Sequence, residues 1–275
     1  MSSTINTNVQ SLNAQRNLAQ SSASLSTSMQ RLSSGLRVNS AKDDSAGLAI
    51  AERMNAQVKG MNVAIRNAND AISLSQTAEG ALGKVGDSLQ RMRELATQSA
   101  NATNSTSDQA NLDAEYQELA KEVTRVLTGT KFNGTDLLST AATLSFQVGA
   151  NNVSTDQIDI ATGDLTGGAG ITAVVGGDIT DRTNALAAMD DLDDAIDEIT
   201  TALAGFGASQ NRFESVISNL QIASENTAAS RGRIMDADFA TETANLSRGQ
   251  ILQQAGTAMI AQANQLPQGV LSLLR

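Results

Sequence analysis

The sequence predicts a mainly α-helical fold, in which long heptad-patterned helices from both ends of the chain pack as coiled-coil or bundle domains, with a small β-hairpin region in the middle. Apolar residues recur at a spacing of seven over most of the chain. The chain has a single proline in 275 residues, which permits long uninterrupted helices. Only near the centre does the apolar spacing change to alternation, as in strands.

The first long helix is predicted from Met54 onward. One apolar series spaced by seven comprises Met54, Met61, Ala68, Ser75, Leu82 and Leu89. A second series, four residues later, comprises Val58, Ile65, Ile72, Glu79 and Gly86. Five heptads of this kind are typical of a coiled-coil helix.

A second, shorter helix is predicted after the polar stretch 99–108, which supplies N-cap candidates. Its apolar positions are Leu112, Tyr116, Leu119, Val123 and Val126. Gly129 is suited to end this helix, because glycine is common just past helix C-termini.

The middle of the chain predicts hairpins over about residues 132–180. A Phe-Asn-Gly turn signal begins the region at Phe132, and apolar residues then alternate from Leu144 to Val148 and again at Ile158 and Ile160. The glycine-rich stretches 167–170 and 176–177 are interpreted as loops. Helical spacing returns at Ala185 and continues past residue 220, along Leu192, Ile196, Ile199, Leu203, Phe213, Ile217 and Leu220.

Both ends of the chain carry half of a coiled-coil pattern. At the N-terminal end the positions are Leu18, Leu25, Met29, Leu32 and Leu36. At the C-terminal end a series spaced by seven comprises Leu252, Met259, Leu266 and Leu273, and a second series, four residues after the first, comprises Gly256, Ala263 and Val270. We therefore predict that the two ends pair as one antiparallel two-helix unit.

The C-terminal stretch 249–274 contains no Asp, Glu, Lys or Arg. An exposed helix normally carries charges, and the many glutamines and asparagines here are unsuited to lipid. Burial against other protein, with amides bonded across helices, fits this composition. Because two helices cannot bury both of their faces, further copies of the chain would cover them, which indicates a self-associating polymer. A disordered tail is the alternative interpretation.

Composition excludes several function classes. With no His and no Cys, the chain lacks the usual general base, thiol nucleophiles and most zinc ligands, so no enzyme, cofactor or metal site is expected. A net charge of −10 argues against nucleic acid as a binding partner. No apolar stretch is long enough for membrane insertion. The acidic run 190–198 is interpreted as a solvated helix face, and Lys42–Ser45 as a helix N-terminal cap. The N-terminus lacks the pattern of a secretory signal.

Long distinctive stretches lie at both ends of the chain. They are INTNVQSLNAQRNL from Ile5, SLSTSMQRLSSGLRVNSAKDDS up to Ser45, RGRIMDAD at 231–238 and SRGQILQQAGTAMIAQANQLPQGVLSLLR to the end. Two further stretches are LQRMRELATQSAN at 89–101 and KFNGTDLL at 131–138. Together these stretches closely resemble bacterial flagellin. The resemblance covers about residues 1–138 and 208–275.

The resemblance implies a structural subunit that polymerises into the flagellar filament outside the cell, after export in an unfolded state by the flagellar type III apparatus. It implies an inner terminal domain of residues 1–42 plus 234–275. A rod-like helical domain would comprise 43–180 plus 181–233, with no sizeable outer domain. The implied partners are further copies of the chain, an export chaperone, and the filament-cap and hook-junction proteins. A hook–filament junction protein, which shares the terminal helices, is the alternative.

The resemblance also implies detection by an animal Toll-like receptor. The matching positions here are Arg91, Leu95 and Glu115, which lie on the subunit-packing face in the family. Glu118 and Leu119 depart from the Gln and Arg that recognised members often carry there.

Overall fold

The fold is that of a computed structural model, which describes the backbone of residues 7–272 and the side chains of residues 7–265. Within that range the chain forms six α-helices: α1 (Val9–Ser34), α2 (Ser45–Ser99), α3 (Thr106–Gly129), α4 (Ala169–Gly176), α5 (Arg182–Met235) and α6 (Phe239–Ser272). Four short strands lie between α3 and α4: β1 (Lys131–Phe132), β2 (Thr135–Asp136), β3 (Ala142–Gln147) and β4 (Gln157–Thr162). The predicted mainly α fold with a small central β region is therefore confirmed.

Contacts along the chain divide it into two compact units. The terminal unit comprises Met1–Ala56 and Asn226–Arg275, and the central unit comprises Gln57–Glu225. Helices α2 and α5 each contribute residues to both units.

The buried face of α2 carries the hydrophobic core of the central unit. The first predicted series is correct from Met61 onward: Met61, Ala68, Ser75, Leu82 and Leu89 are all buried. The second series is wrong. The buried companion positions lie three residues after the first series, not four, and comprise Ala64, Ala71, Ala78, Val85 and Met92. Alanines are small enough to be fully enclosed between packed helices, whereas the larger Ile65 and Ile72 lie at the edge and are half-buried.

Helix α5 supplies the facing side of this core. Its buried residues are again spaced by seven, at Ala185, Leu192, Ile199, Phe206 and Phe213. The two helices run antiparallel and are joined by an ion pair and by a hydrogen bond at two positions along their length. Arg93 Nε lies 2.6 Å from Asp193 Oδ1, and Gln210 Nε2 lies 2.8 Å from Glu79 Oε2.

Helix α3 begins and ends where the sequence predicts. Ser105 and Asp108 form a reciprocal capping box at its N-terminus, and the helix ends at Gly129. Tyr116, the only tyrosine in the chain, is fully buried, and its hydroxyl donates to the carbonyl of Val174 at 3.1 Å. Burial raises the pKa of Tyr116 well above its usual range.

The predicted turn at the start of the β region joins β1 to β2. Asn133 and Gly134 have φ values of 49° and 83°, which are left-handed conformations typical of Asn-Gly in a two-residue hairpin. Strands β3 and β4 form a second antiparallel hairpin. Its loop lies close against α2, where a Cβ atom on Gly60 would be 2.7 Å from Ala150 Cβ.

The glycine-rich stretch after β4 is not all loop, contrary to the sequence interpretation. Residues Ala169–Gly176 form α4, with Ile171 and Val174 buried. Gly170 allows α4 to approach α5 closely, because a Cβ atom there would lie 2.6 Å from the backbone nitrogen of Ala195. An eight-residue helix is too short to display a helical period in the sequence, and here tertiary packing overrides the low helix propensity of glycine.

Truncating a side chain of this core should destabilise the central unit strongly. Leu82 is fully buried, so we expect Leu82→Ala to lower the free energy of unfolding by about 2–5 kcal/mol. Denaturant unfolding followed by the fluorescence of Tyr116 measures it, because the chain has no Trp. Leu186→Ala is the matched control: Leu186 is exposed, and we expect a change within about 0.5 kcal/mol. Equal losses in the two variants would contradict the assigned core.

Candidate functional site

The two ends of the chain meet in an antiparallel pair formed by α1 and α6. We define the α1–α6 seam as the positions spaced by seven that face one another. On α1 these are Ser11, Leu18, Leu25 and Leu32, and on α6 they are Glu242, Gly249, Gly256 and Ala263. The predicted antiparallel pairing of the ends is therefore present in the terminal unit.

Two leucines of α1 pack directly on two glycines of α6. A Cβ atom on Gly249 would lie 3.1 Å from Leu25 Cδ1, and a Cβ atom on Gly256 would lie 3.0 Å from Leu18 Cδ1. Both distances are shorter than ordinary carbon–carbon contact. The missing side chains at the glycines therefore allow the two helices to approach closely.

One ion pair joins the last turn of α1 to the first turn of α6. Arg31 Nη1 donates to Glu242 Oε1 at 2.9 Å, and the side chain of Glu242 is 9% exposed. The hydrogen bond from Arg31 lowers the pKa of Glu242 below its usual range, and the neighbouring Ser28 and Asn245 lower it further. The carboxylate is therefore held in its charged form in this largely buried position.

Polar contacts hold both ends of the pair. At one end Asn8 Nδ2 donates to the carbonyl of Ala263 at 2.8 Å, and Ser11 Oγ lies 2.9 Å from Asn264 Oδ1. This amide contact between the helices is of the kind that the uncharged sequence predicts. At the other end Leu36 and Asp236 form an isolated antiparallel β-bridge.

The predicted assembly residues fall into two groups in this pair. Leu18, Leu25, Leu32 and Leu36 are half-buried within the pair. The others described are exposed: Met29 by 56%, Leu252 by 48% and Met259 by 65%. Leu266 and Leu273 lie outside the residues whose side chains are described.

The seam of α6 is thus not the leucine and methionine series but the second predicted series, of which Gly256 and Ala263 are described. Gly249, Gly256 and Ala263 form it together with Glu242, because leucine and methionine side chains cannot fit where the helices approach closely at the glycines. The displaced apolar residues lie on the outside with others that the sequence reasoning missed. We call this exposed set the outer apolar face, and its described members are Val9, Leu12, Met29, Phe239, Ile251, Leu252 and Met259.

The predicted receptor positions lie in the central unit, on α2 and α3. Arg91 and Glu115 are exposed and joined, with Arg91 Nη2 2.8 Å from Glu115 Oε1, and Arg91 Nη1 also lies 3.0 Å from Glu94 Oε2. These carboxylates raise the pKa of Arg91, because Arg91 donates hydrogen bonds to Glu94, the larger effect, and to Glu115. Leu95, in contrast, is only 1% exposed and belongs to the hydrophobic core.

The remaining sequence motifs have structural roles. Asp44 Oδ1 accepts a hydrogen bond from the backbone nitrogen of Gly47 at 2.8 Å, as a helix N-cap does. Asp193, in the acidic run, pairs with Arg93 across the central unit. Within the described part of the chain, no three acidic, histidine or cysteine side chains gather as metal ligands, and no helix has the length and hydropathy to cross a membrane.

The ion pair makes the terminal unit sensitive to acid. Because the folded-state pKa of Glu242 is lowered, its contribution is fully present above the ordinary glutamate pKa of about 4.3 and is lost as pH falls through the lowered value. We expect Glu242→Gln to cost about 1–3 kcal/mol at neutral pH and progressively less in acid. Thermal unfolding of the full chain, followed by circular dichroism as a function of pH, measures the difference.

The matched control for this prediction is Glu52→Gln, an exposed carboxylate of the same unit. It should retain the acid dependence of the unaltered chain. An acid dependence that is the same with and without the Glu242 carboxylate would contradict the assignment.

Comparison with known proteins places the chain in a family. Residues 5–143 match the bacterial flagellin N-terminal helical region, and residues 189–274 match the bacterial flagellin C-terminal helical region. A flagellin of Halalkalibacterium halodurans is 48% identical over 98% of this chain and 99% of its own length. A flagellar filament 33 kDa core protein of Treponema phagedenis is 40% identical over 98% and 99%, respectively.

A solved structure agrees with these matches. The crystal structure of Bacillus cereus flagellin superposes with a TM-score of 0.50 at 34% identity, over 56% of this chain and 88% of that one. The long helices of both ends and the pairing of those ends belong to the regions that the two family matches cover. The chain therefore belongs to the bacterial flagellin family and is a structural protein of the flagellar filament, not an enzyme.

Proposed function

We propose that the chain polymerises with copies of itself through the terminal unit, and that the outer apolar face of one copy packs against the terminal units of its neighbours. The observation that carries this proposal is the exposure of large apolar side chains on a helix pair that carries few charges. Phe239, Ile251 and Met259 are each at least 65% exposed, and together with the other members they line the outside of the pair. Large apolar surface exposed in this way marks interaction sites in proteins.

The distribution of charge supports the same proposal. Of the 19 basic and 29 acidic residues, 10 and 23 lie in the central unit, whereas the terminal unit carries the remaining 9 and 6. The central unit is thus strongly acidic, as suits a surface in contact with water. The terminal unit is closer to neutral and is uncharged from Gly249 to Leu274. Burying this uncharged stretch in a polymer would therefore desolvate no charged side chain.

The same proposal includes export and placement outside the cell. The relatives named above are flagellins and a flagellar filament core protein, so we infer export in an unfolded state by the flagellar type III apparatus. An export chaperone, the filament cap and the hook-junction proteins are the partners that this route requires. The inner domain of 1–42 plus 234–275 and the rod-like domain of 43–233 remain our proposed division within the filament.

Making the outer apolar face polar should stop filament growth without unfolding the chain. We expect the double variant Leu252→Gln/Met259→Gln to reduce seeded elongation at least tenfold. The substitutions remove two apolar side chains from the contact that we propose is buried between copies. Electron microscopy of purified chain with short filament seeds measures elongation. The helix content by circular dichroism should be unchanged.

The control is Val153→Gln, which removes an apolar side chain that is 48% exposed on the β3–β4 loop. It should elongate seeds normally. Normal growth of the double variant would exclude the outer apolar face as the contact. Chains that only capped the seeds, without elongating them, would instead favour a hook–filament junction protein.

We further propose that an animal Toll-like receptor detects the central unit through the exposed ion pair of Arg91 and Glu115. Both side chains are about half-exposed and lie on two adjacent helices, so a receptor can contact them together. Leu95 would contribute from within the core, by holding α2 in place beneath them. A direct contact with this side chain would require α2 to move.

Removing the charges at this pair should weaken receptor binding with little effect on stability. We expect Arg91→Ala/Glu115→Ala to weaken binding about tenfold or more, whereas exposed ion pairs stabilise folding by only about 0–1 kcal/mol. Binding of depolymerised chain to the purified receptor ectodomain measures the effect. Arg125→Ala, which breaks a comparable exposed pair with Glu122, is the control and should bind normally. Equal binding by all variants would refute this site.

A further inference from the structure

The apolar part of the α1–α6 seam fits more than one register. In the structure Leu18 packs on Gly256 and Leu25 packs on Gly249. If α6 were displaced by one heptad, Leu25 would lie on Gly256 and Leu32 on Gly249. These leucines would still meet glycines, so leucine–glycine packing alone does not distinguish the two registers.

The ion pair, in contrast, fits only the observed register. Glu242 is the only acidic residue of α6 within the described range, and Arg31 lies in the last turn of α1. A displacement of one heptad moves the helices by about 10 Å along their axes. Glu242 would then lie beyond the end of α1 at Ser34, too far from Arg31 for the 2.9 Å contact that the structure has.

We propose that the Arg31–Glu242 ion pair sets the register of the α1–α6 seam and selects against the pairing displaced by one heptad. A buried polar or ionic contact within a repetitive apolar seam has this effect in coiled coils, where it specifies register and costs stability. Both residues are positioning residues, which act through the alignment of the two helices.

The register decides what the terminal unit presents on its outside. Residues of the outer apolar face come from both helices, including Met29 from α1 and Leu252 and Met259 from α6. A one-heptad displacement would shift the α6 members by about 10 Å relative to Met29. This consequence for assembly rests on the proposed polymerisation. The register is read from disulfides within one chain, so it is tested separately from filament growth.

Cysteine pairs can report the register directly, because the chain contains no cysteine of its own. The reporter of the observed register is Leu18→Cys/Gly256→Cys. A Cβ atom on Gly256 would lie 3.6 Å from that of Leu18, within the range that a disulfide spans. The reporter of the displaced register is Leu25→Cys/Gly256→Cys, whose residues are about one heptad apart along the seam in the structure and cannot form a disulfide.

The experiment places each reporter in the full chain, unaltered or carrying Arg31→Met/Glu242→Met. Methionine keeps helix propensity and side-chain length while removing both charges. After mild oxidation, intrachain disulfides are read from gel mobility and from mass spectrometry of digested peptides. Mixing chains that carry one cysteine each identifies crosslinks between copies, which run as dimers.

In the otherwise unaltered chain we expect only the observed-register reporter to crosslink. With the two methionines, the displaced-register reporter should crosslink to at least a tenth of the extent that the observed-register reporter reaches in the otherwise unaltered chain. Arg31→Glu/Glu242→Arg, which swaps the charges, should again suppress it.

Three results would overturn the proposal. If the displaced-register reporter forms no disulfide with the two methionines, the bridge between Leu36 and Asp236 suffices to set the register. Loss of crosslinking in both reporters means that the ion pair is needed for pairing itself. Crosslinking of the displaced-register reporter in the otherwise unaltered chain means that the ion pair does not select the register. Filament growth is not the readout, so a failure of the proposed polymerisation would leave these outcomes distinct.

Discussion

Two helices can approach closely only where one of them has almost no side chain. In the terminal unit this condition is met by glycines of α6, against which leucines of α1 pack. Because Gly249 and Gly256 occupy the contact face, the larger side chains of α6 have no place between the helices. They lie on the outside, and Leu252 and Met259 are about half-exposed or more. The same close packing that joins the chain ends therefore leaves an apolar surface uncovered.

The central unit, in contrast, encloses large apolar side chains between its helices. Its helices α2 and α5 bury both small and large residues at heptad spacing, and α3, α4 and the hairpin contribute further apolar side chains to the same core. Large side chains such as Phe213 are fully enclosed there. Burial on this scale is what an independently stable domain needs. This contrast supports the proposal that neighbouring copies cover the terminal unit.

Electrostatics follows the same division. Most acidic residues lie in the central unit, where exposed ion pairs such as Arg91 with Glu115 stay in contact with water. In the terminal unit the pair of Arg31 with Glu242 lies at the seam, and the carboxylate is largely buried. A charge in that position is stable only while its partner is present, so it constrains the geometry of the pair more than it stabilises it.

The sequence by itself determined the helical class, the heptad spacing, the ends of α3, the turn at Asn133–Gly134 and the family, because each rests on local periodicity, turn chemistry or long matching stretches. Only the tertiary structure decided which face of each helix is buried. Alanines at 64, 71 and 78 form the contact face of α2 where larger neighbours were expected, and glycines form that of α6. Sequence patterns weight residues by size and hydrophobicity, whereas close helix packing selects the smallest side chains. The short helix α4 was missed because its contact with α5, and not its own propensity, stabilises it.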